Sequence, residues 1–137
     1  MLTDMVLSVD PGREKCGIAI VHKQEGIIYK VIVATAELAA TVESLATTYN
    51  LTTIIIGNST TSRTAQNDLR AISVKGQKIT LVPVNEYRST DQARKRYWLD
   101  NPPKGLRRLI PTTLQVPPVP VDDYAAVILA ERYFAGL

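Results

Sequence analysis

Three apolar, β-rich runs fall within the first 34 residues of this chain: Met5–Asp10, residues 16–21 and residues 27–34. The first ends in Asp10-Pro11-Gly12, a turn signal, and Gly26 separates the second from the third. Runs packed this closely predict a meander of antiparallel strands. The periodicity then changes. Leu38, Val42, Leu45 and Tyr49 fall at helical spacing, with Thr35 as a candidate N-cap. Residues 52–56 are apolar and β-branched and end at Gly57, which predicts a central strand buried on both faces. Ala65, Leu69 and Ile72 return to helical spacing, and residues 79–84 read as another strand. Ser89-Thr90-Asp91-Gln92 fits a capping box with Ser89 at the N-cap, opening a helix to about Leu99. Residues 101–120 hold six of the eight prolines, so an extended, irregular segment is expected there. A nearly all-apolar helix from Asp122 to about Phe134 closes the chain, packed on the sheet. This order predicts an α/β sandwich on a mixed sheet whose first three strands are antiparallel.

A chain of 137 residues is expected to form one domain over 1–137, long enough to bury a core without disulfides or structural metal. Its 45% hydrophobic and 21% charged residues argue against disorder and against a coiled coil. The one cysteine, Cys16, excludes an internal disulfide and a Cys-based zinc site, and the one histidine, His22, argues against a Ser-His-Asp triad or a His cluster. Both lie inside a strand pattern and read as structural. The start Met-Leu-Thr-Asp lacks the basic and apolar regions of a signal peptide, and no apolar run approaches ~18 residues. A cytoplasmic protein without a membrane partner is the expectation.

Three acids sit where packing alone rarely places them. Asp10 ends the first strand, Glu86 follows the last strand by two residues, and Asp122 opens the last helix. Ligands of α/β sheets gather at strand ends and helix starts. Were the first and last major strands neighbours, Asp10 and Glu86 would face one crevice, and a helix crossing that edge would add Asp122. Converging carboxylates repel, so one protonates or a cation joins them. Oxygen ligands without His or Cys select Mg²⁺ or Mn²⁺, and such a site suits phosphoryl chemistry. Each acid also has a simpler role: Asp10 as a turn former, Asp122 as a helix cap, Glu86 as an exposed loop acid.

At these residues the chain resembles a known family. Asp10-Pro11-Gly12-Arg13-Glu14-Lys15-Cys16-Gly17-Ile18-Ala19 is similar to the first motif of YqgF-type (RuvX-type) nucleases, within the ribonuclease H-like superfamily. Ile54-Ile55-Ile56-Gly57 is similar to the family's central strand and terminal Gly. Asn85-Glu86-Tyr87-Arg88-Ser89-Thr90, with Ala93-Arg94 behind it, resembles the Asp-Glu-Arg…Ser/Thr…Ala-Arg motif. Residues 121–129 resemble the C-terminal Val-Asp-Ser/Asp…Ala-Ala helix. Arg96-Tyr97-Trp98 and Pro102-Pro103-Lys104-Gly105-Leu106 resemble a cyanobacterial-type branch. The resemblance runs over nearly the whole chain with the motifs in order. It implies a ribonuclease H-like fold and a divalent-metal-dependent nuclease. Such nucleases are associated with maturation of the 16S ribosomal RNA precursor and, by older naming, with Holliday junction resolution. By position the catalytic acids and metal ligands would be Asp10, Glu86 and Asp122. There are departures: Asn85 stands in place of Asp, Tyr87 in place of Arg, and Asn58-Ser59-Thr60-Thr61-Ser62 in place of a Leu-Pro segment. Resolvase relatives carry a fourth acid about one helical turn after the third, where this chain has Ala125 and Ala126. Asp123 points ~100° away from Asp122 on a helix, which suits a supporting or capping role better.

The net charge of +3 conceals a separation. Residues 88–108 carry seven basic side chains, Arg88, Arg94, Lys95, Arg96, Lys104, Arg107 and Arg108, against Asp91 and Asp100. The remainder carries nine basic and eleven acidic residues. A basic flank beside Glu86 is what a nuclease needs to hold phosphate, and Arg13 and Lys15 lie beside Asp10. Tyr97 and Trp98 lie within this flank and offer rings to unpaired bases. The spacing of Ala93 and Tyr97 assigns Tyr97 to the core, while Trp98 points elsewhere. The hydroxyls of residues 59–64 suit phosphate contacts or a cap for the next helix. The expected partner is structured RNA or branched DNA, bound by a monomer or a homodimer. Two other classes remain: a non-catalytic nucleic-acid-binding module of the same fold, and a phosphotransferase, since the Asp-x-Gly turn also resembles the first phosphate motif of sugar-kinase and actin-like ATPases. Those relatives use two such domains, and this chain has room for one.

Overall fold

The computed structural model describes residues 4–59 and 62–136. Strands β1 (Met5–Asp10), β2 (Lys15–His22) and β3 (Gly26–Ala34) form the expected antiparallel meander. Helix α1 (Leu38–Tyr49) leads to β4 (Thr53–Gly57), which pairs parallel to β1. Helix α2 (Ser62–Arg70) follows, then two short strands, β5 (Ser73–Val74) and β6 (Gln77–Lys78), and then β7 (Thr80–Val84), parallel to β4. Helix α3 (Ser89–Asp100) and helix α4 (Asp122–Ala135) complete the chain. The sheet order is β3-β2-β1-β4-β7. β1 and β7 are therefore not neighbours; β4 lies between them. The β5–β6 hairpin was not expected. It turns on Lys75-Gly76, both at positive φ, the backbone that a two-residue hairpin favours.

Side chains alternate across the sheet with period two, and each face has its own core. Leu7, Val9, Ile18, Ile20, Ile54 and Ile56 face α1 and α2. Val6, Ala19, Val21, Ile55 and Val84 face α4, against Ala126, Val127, Leu129 and Ala130. The other side of α4 packs on α3 through Tyr124, Ala125 and Ile128 against Ala93 and Tyr97. This sandwiching explains the unbroken apolar run in α4: every residue from Tyr124 to Ala130 is buried. Tyr97 takes the expected core position. His22 is structural too, its Nδ1 accepting from the amides of Gln24 and Glu25 at 3.1 Å each in the β2–β3 turn.

Two expected caps do not form. Thr35 begins a 3₁₀ turn ahead of α1, and its hydroxyl donates 2.9 Å to Gly12 O instead, clamping the turn after Asp10. Ser89 is the first residue of α3 rather than its N-cap; Arg88 holds that position in the left-handed region (φ 59°) without a side-chain cap bond. Thr60 and Thr61 lie outside the described residues, as does part of the predicted polar loop. Ser62 Oγ donates 2.6 Å to Ser59 O. Among the described residues no helix is long and apolar enough to cross a membrane.

Candidate active site

Asp10 shares a parity with Val6 and Ser8, so its side chain belongs to the face of the sheet covered by α4. Its cross-strand partner on β2 is Gly17. On the other side, Val9 pairs with Ile56, which places Gly57 next in register with Asp10 on β4. Gly17, Asp10 and Gly57 thus form a row over three adjacent strands. The two glycines make room for the other acids. A Cβ on Gly17 would collide with the Asp122 carbonyl, and a Cβ on Gly57 would collide with the Glu86 Oε2. The backbone of Asp122 therefore lies over β2 and the Glu86 carboxylate over β4, flanking Asp10. The Asp122 backbone and the Glu86 carboxylate thus sit over the two strands that neighbour β1, with strands ~4.8 Å apart.

That arrangement has an electrostatic signature. Burial raises the Asp10 carboxyl from 3.8 to about 7, with repulsion from Glu86 and then from Asp122 adding to it. Asp122 Oδ2 is buried and accepts no hydrogen bond. Its nearest cation, Lys15 Nζ, stands 3.6 Å away, beyond hydrogen-bond reach, on a half-exposed side chain. Among the described residues no three of the His, Cys, Asp and Glu side chains close around one point. The donor set nevertheless fits a hard divalent cation: carboxylate oxygens only, an orphaned buried oxygen, and a central acid whose ionised form burial and two neighbouring acids disfavour. Spread along a row, the three acids suit an ion that keeps several waters, as Mg²⁺ does.

The Glu86 loop is held from outside the predicted motifs. Arg132 on α4 donates from Nη1 to Asn85 O and from Nη2 to Tyr87 O, at 2.7 Å each, so its guanidinium grips the carbonyls on both sides of Glu86. Nη2 also reaches Gln92 Oε1 at 3.1 Å. Asn85 Oδ1 accepts from the Tyr87 amide at 2.9 Å, and Ser89 N donates 3.0 Å to Glu86 O. Arg132 lies ten residues beyond Asp122, next to Glu131 and just past the buried run of α4, where no motif marks it. Asp123 is turned from the site. Its Oδ2 accepts from Lys30 Nζ at 2.8 Å, and Lys30 also lies 4.2 Å over the Tyr124 ring.

The predicted basic residues divide. Lys15 and Arg94 border a cleft that ends at Asp122. Arg88, Arg94 and Lys95 line a second cleft with Trp98, and Lys104 and Arg107 a third. Arg13 borders a separate cleft between the β1–β2 turn and α2. Arg96 points to α4, where its Nη1 lies 2.8 Å from both oxygens of Glu131. Arg108 is exposed.

No family model matches the chain, and no curated protein matches it in sequence. Solved structures do match. Thermus thermophilus RuvC superposes with a TM-score of 0.60 at 12% identity, over 96% of this chain and 95% of that one. T. thermophilus RuvC in complex with a Holliday junction substrate gives 0.59 at 15% identity, over 96% and 94%. The fowlpox virus Holliday junction resolvase gives 0.55 at 16% identity, over 97% and 99%. The five-stranded mixed sheet with its flanking helices is thus the ribonuclease H-like fold of the RuvC-type resolvases, matched from end to end.

Proposed function

We propose that this chain is a divalent-metal-dependent nuclease hydrolysing phosphodiester bonds in structured nucleic acid, with precursor 16S ribosomal RNA as its substrate. The observation that carries the nuclease reading is the Asp10 row: a half-buried carboxyl raised to about 7 between two further acids, one with an orphaned buried oxygen. Asp10, Glu86 and Asp122 are the residues that would hold the cation. A divalent cation bound there supplies positive charge to phosphate oxygens and activates water. The remaining work falls to the chain itself. Arg132 fixes the height of the Glu86 carboxylate through the loop carbonyls it grips. Thr35 fixes the turn after Asp10. Lys15 and Arg94, at the Asp122 end of the row, hold the phosphates next to the scissile one. Cleavage of four-way DNA junctions is a second reading, favoured by the two resolvases whose architecture this chain shares over nearly its full length. Incubation with a ribosomal RNA precursor and with a four-way junction, with and without Mg²⁺ or Mn²⁺, tests both. Cation-dependent cuts in the RNA support the first reading, and cuts confined to the junction support the second.

A further inference from the structure

Residues 101–121 return along α3 to the start of α4, and three clefts open beneath this strap. The first, ≈ 370 Å³, joins Lys15, Thr90 and Arg94 to Asp122. The second, ≈ 350 Å³, lies over Arg88, Arg94, Lys95 and Trp98. The third, ≈ 540 Å³, holds Trp98, Lys104 and Arg107. Arg94 borders the first two and Trp98 the last two, so the clefts join into one track along α3. From Thr90 to Asn101 that track is about 16 Å long. Six basic side chains line it against Asp91, Asp100 and Asp122, and Asp100 already accepts from Tyr124 OH at 3.0 Å. The strap is braced: Gln115 Nε2 donates to Arg107 O and Ile110 O, at 3.0 Å each.

Trp98 is the distinctive part. Its ring borders two clefts, and Tyr97 supports it at 5.1 Å, itself packed edge-on against Tyr124. The indole Nε1–H is buried and donates to no acceptor among the described residues. A fixed aromatic face with flanking cations is what an unpaired base and its phosphates require. A duplex keeps its bases stacked inside and cannot present one to an indole.

We infer that the strap and α3 form a track for a single-stranded flank of the nucleic-acid substrate, leading from the carboxylate row to a base-stacking subsite on Trp98. The inference rests on the nucleic-acid reading of the carboxylate site, but its failure is separable. Trp98 is the chain's single tryptophan, so its fluorescence reports on this subsite alone. The D10N protein is titrated with a single-stranded oligonucleotide and with a blunt duplex of the same sequence. The single strand is expected to quench Trp98 and the duplex to leave it unchanged. By anisotropy of a labelled single strand, W98A weakens binding roughly 5- to 150-fold, while W98F retains most of the affinity. The exposed pair K104A/R107A weakens single-strand binding and flattens its salt dependence. Equal quenching by duplex and single strand, no quenching at all, or unchanged affinity in both W98A and K104A/R107A overturns the inference. Cation-dependent cleavage by the wild type alongside any of those results leaves the nuclease reading standing. Quenching without cleavage removes the nuclease reading and keeps the track.

Discussion

Replacing Asp10 by Asn should stabilise the protein, and by an amount that depends on pH. In the folded state the carboxyl titrates at about 7, against 3.8 when exposed. Between those values the native protein keeps a proton that the unfolded chain has released. Wild-type stability therefore falls as pH rises through this window, by at most ~1.4 kcal/mol per pH unit, and levels off above pH 7. The whole shift corresponds to about 4 kcal/mol, with relaxation and water at this half-buried site lowering it. An asparagine side chain has nearly the same shape as the aspartate it replaces and never ionises. D10N should thus match the wild type near pH 4 and exceed it increasingly toward pH 8. Groups that titrate alike in both proteins cancel in the difference. Urea unfolding at several pH values, without divalent cation, measures it. Millimolar Mg²⁺ or Mn²⁺ should then raise wild-type stability by mass action and leave D10N unmoved. A difference that stays flat with pH, or a D10N protein less stable at pH 8, would refute the raised Asp10 carboxyl and the burial and repulsion that raise it.

Five other substitutions test the same geometry. Arg132→Met should lower kcat for cleavage about 10- to 100-fold with little change in KM, because it frees the Glu86 loop without touching substrate. Gly17→Ala should cost about 1–3 kcal/mol in urea unfolding, since the Asp122 backbone cannot yield; Gly57→Ala should cost less stability but lose cleavage, since the Glu86 side chain can swing away. Thr35→Val should cost about 1 kcal/mol by removing the hydroxyl that holds Gly12 O, read from the urea midpoint. Arg94→Ala should weaken binding across sequences and reduce the salt slope by about 1 in a salt-titrated binding assay.

Much of this arrangement was legible in the sequence because it is carried by local pattern. The β1–β3 meander, the β4 strand ending at Gly57 and the α4 start at Asp122 all follow from period, turn residues and apolar runs. What was illegible is long-range. The interposed β4 is a matter of strand order, which hydrophobic patterning does not encode. The roles of Gly17 and Gly57 appear only when neighbouring strands bring other acids over them. Thr35 and Ser89 looked like caps, but Gly12 O takes the Thr35 hydroxyl, and α3 begins at Ser89 itself with Arg88 before it. Arg132 itself carried no motif. The basic segment was visible as charge, yet only the fold shows Arg96 turned to Glu131 while Arg94 borders the acids.

The proposed cleavage of nucleic acid rests on divalent-cation binding by Asp10, Glu86 and Asp122 together. Its most direct test is cleavage of a ribosomal RNA precursor and a four-way DNA junction by purified wild-type and D10N proteins, each with Mg²⁺, with Mn²⁺ and with chelator. Strand scission is expected from the wild type only when cation is present, and none from D10N although it still binds. Cleavage that survives chelation, or that D10N performs at the wild-type rate, would contradict it.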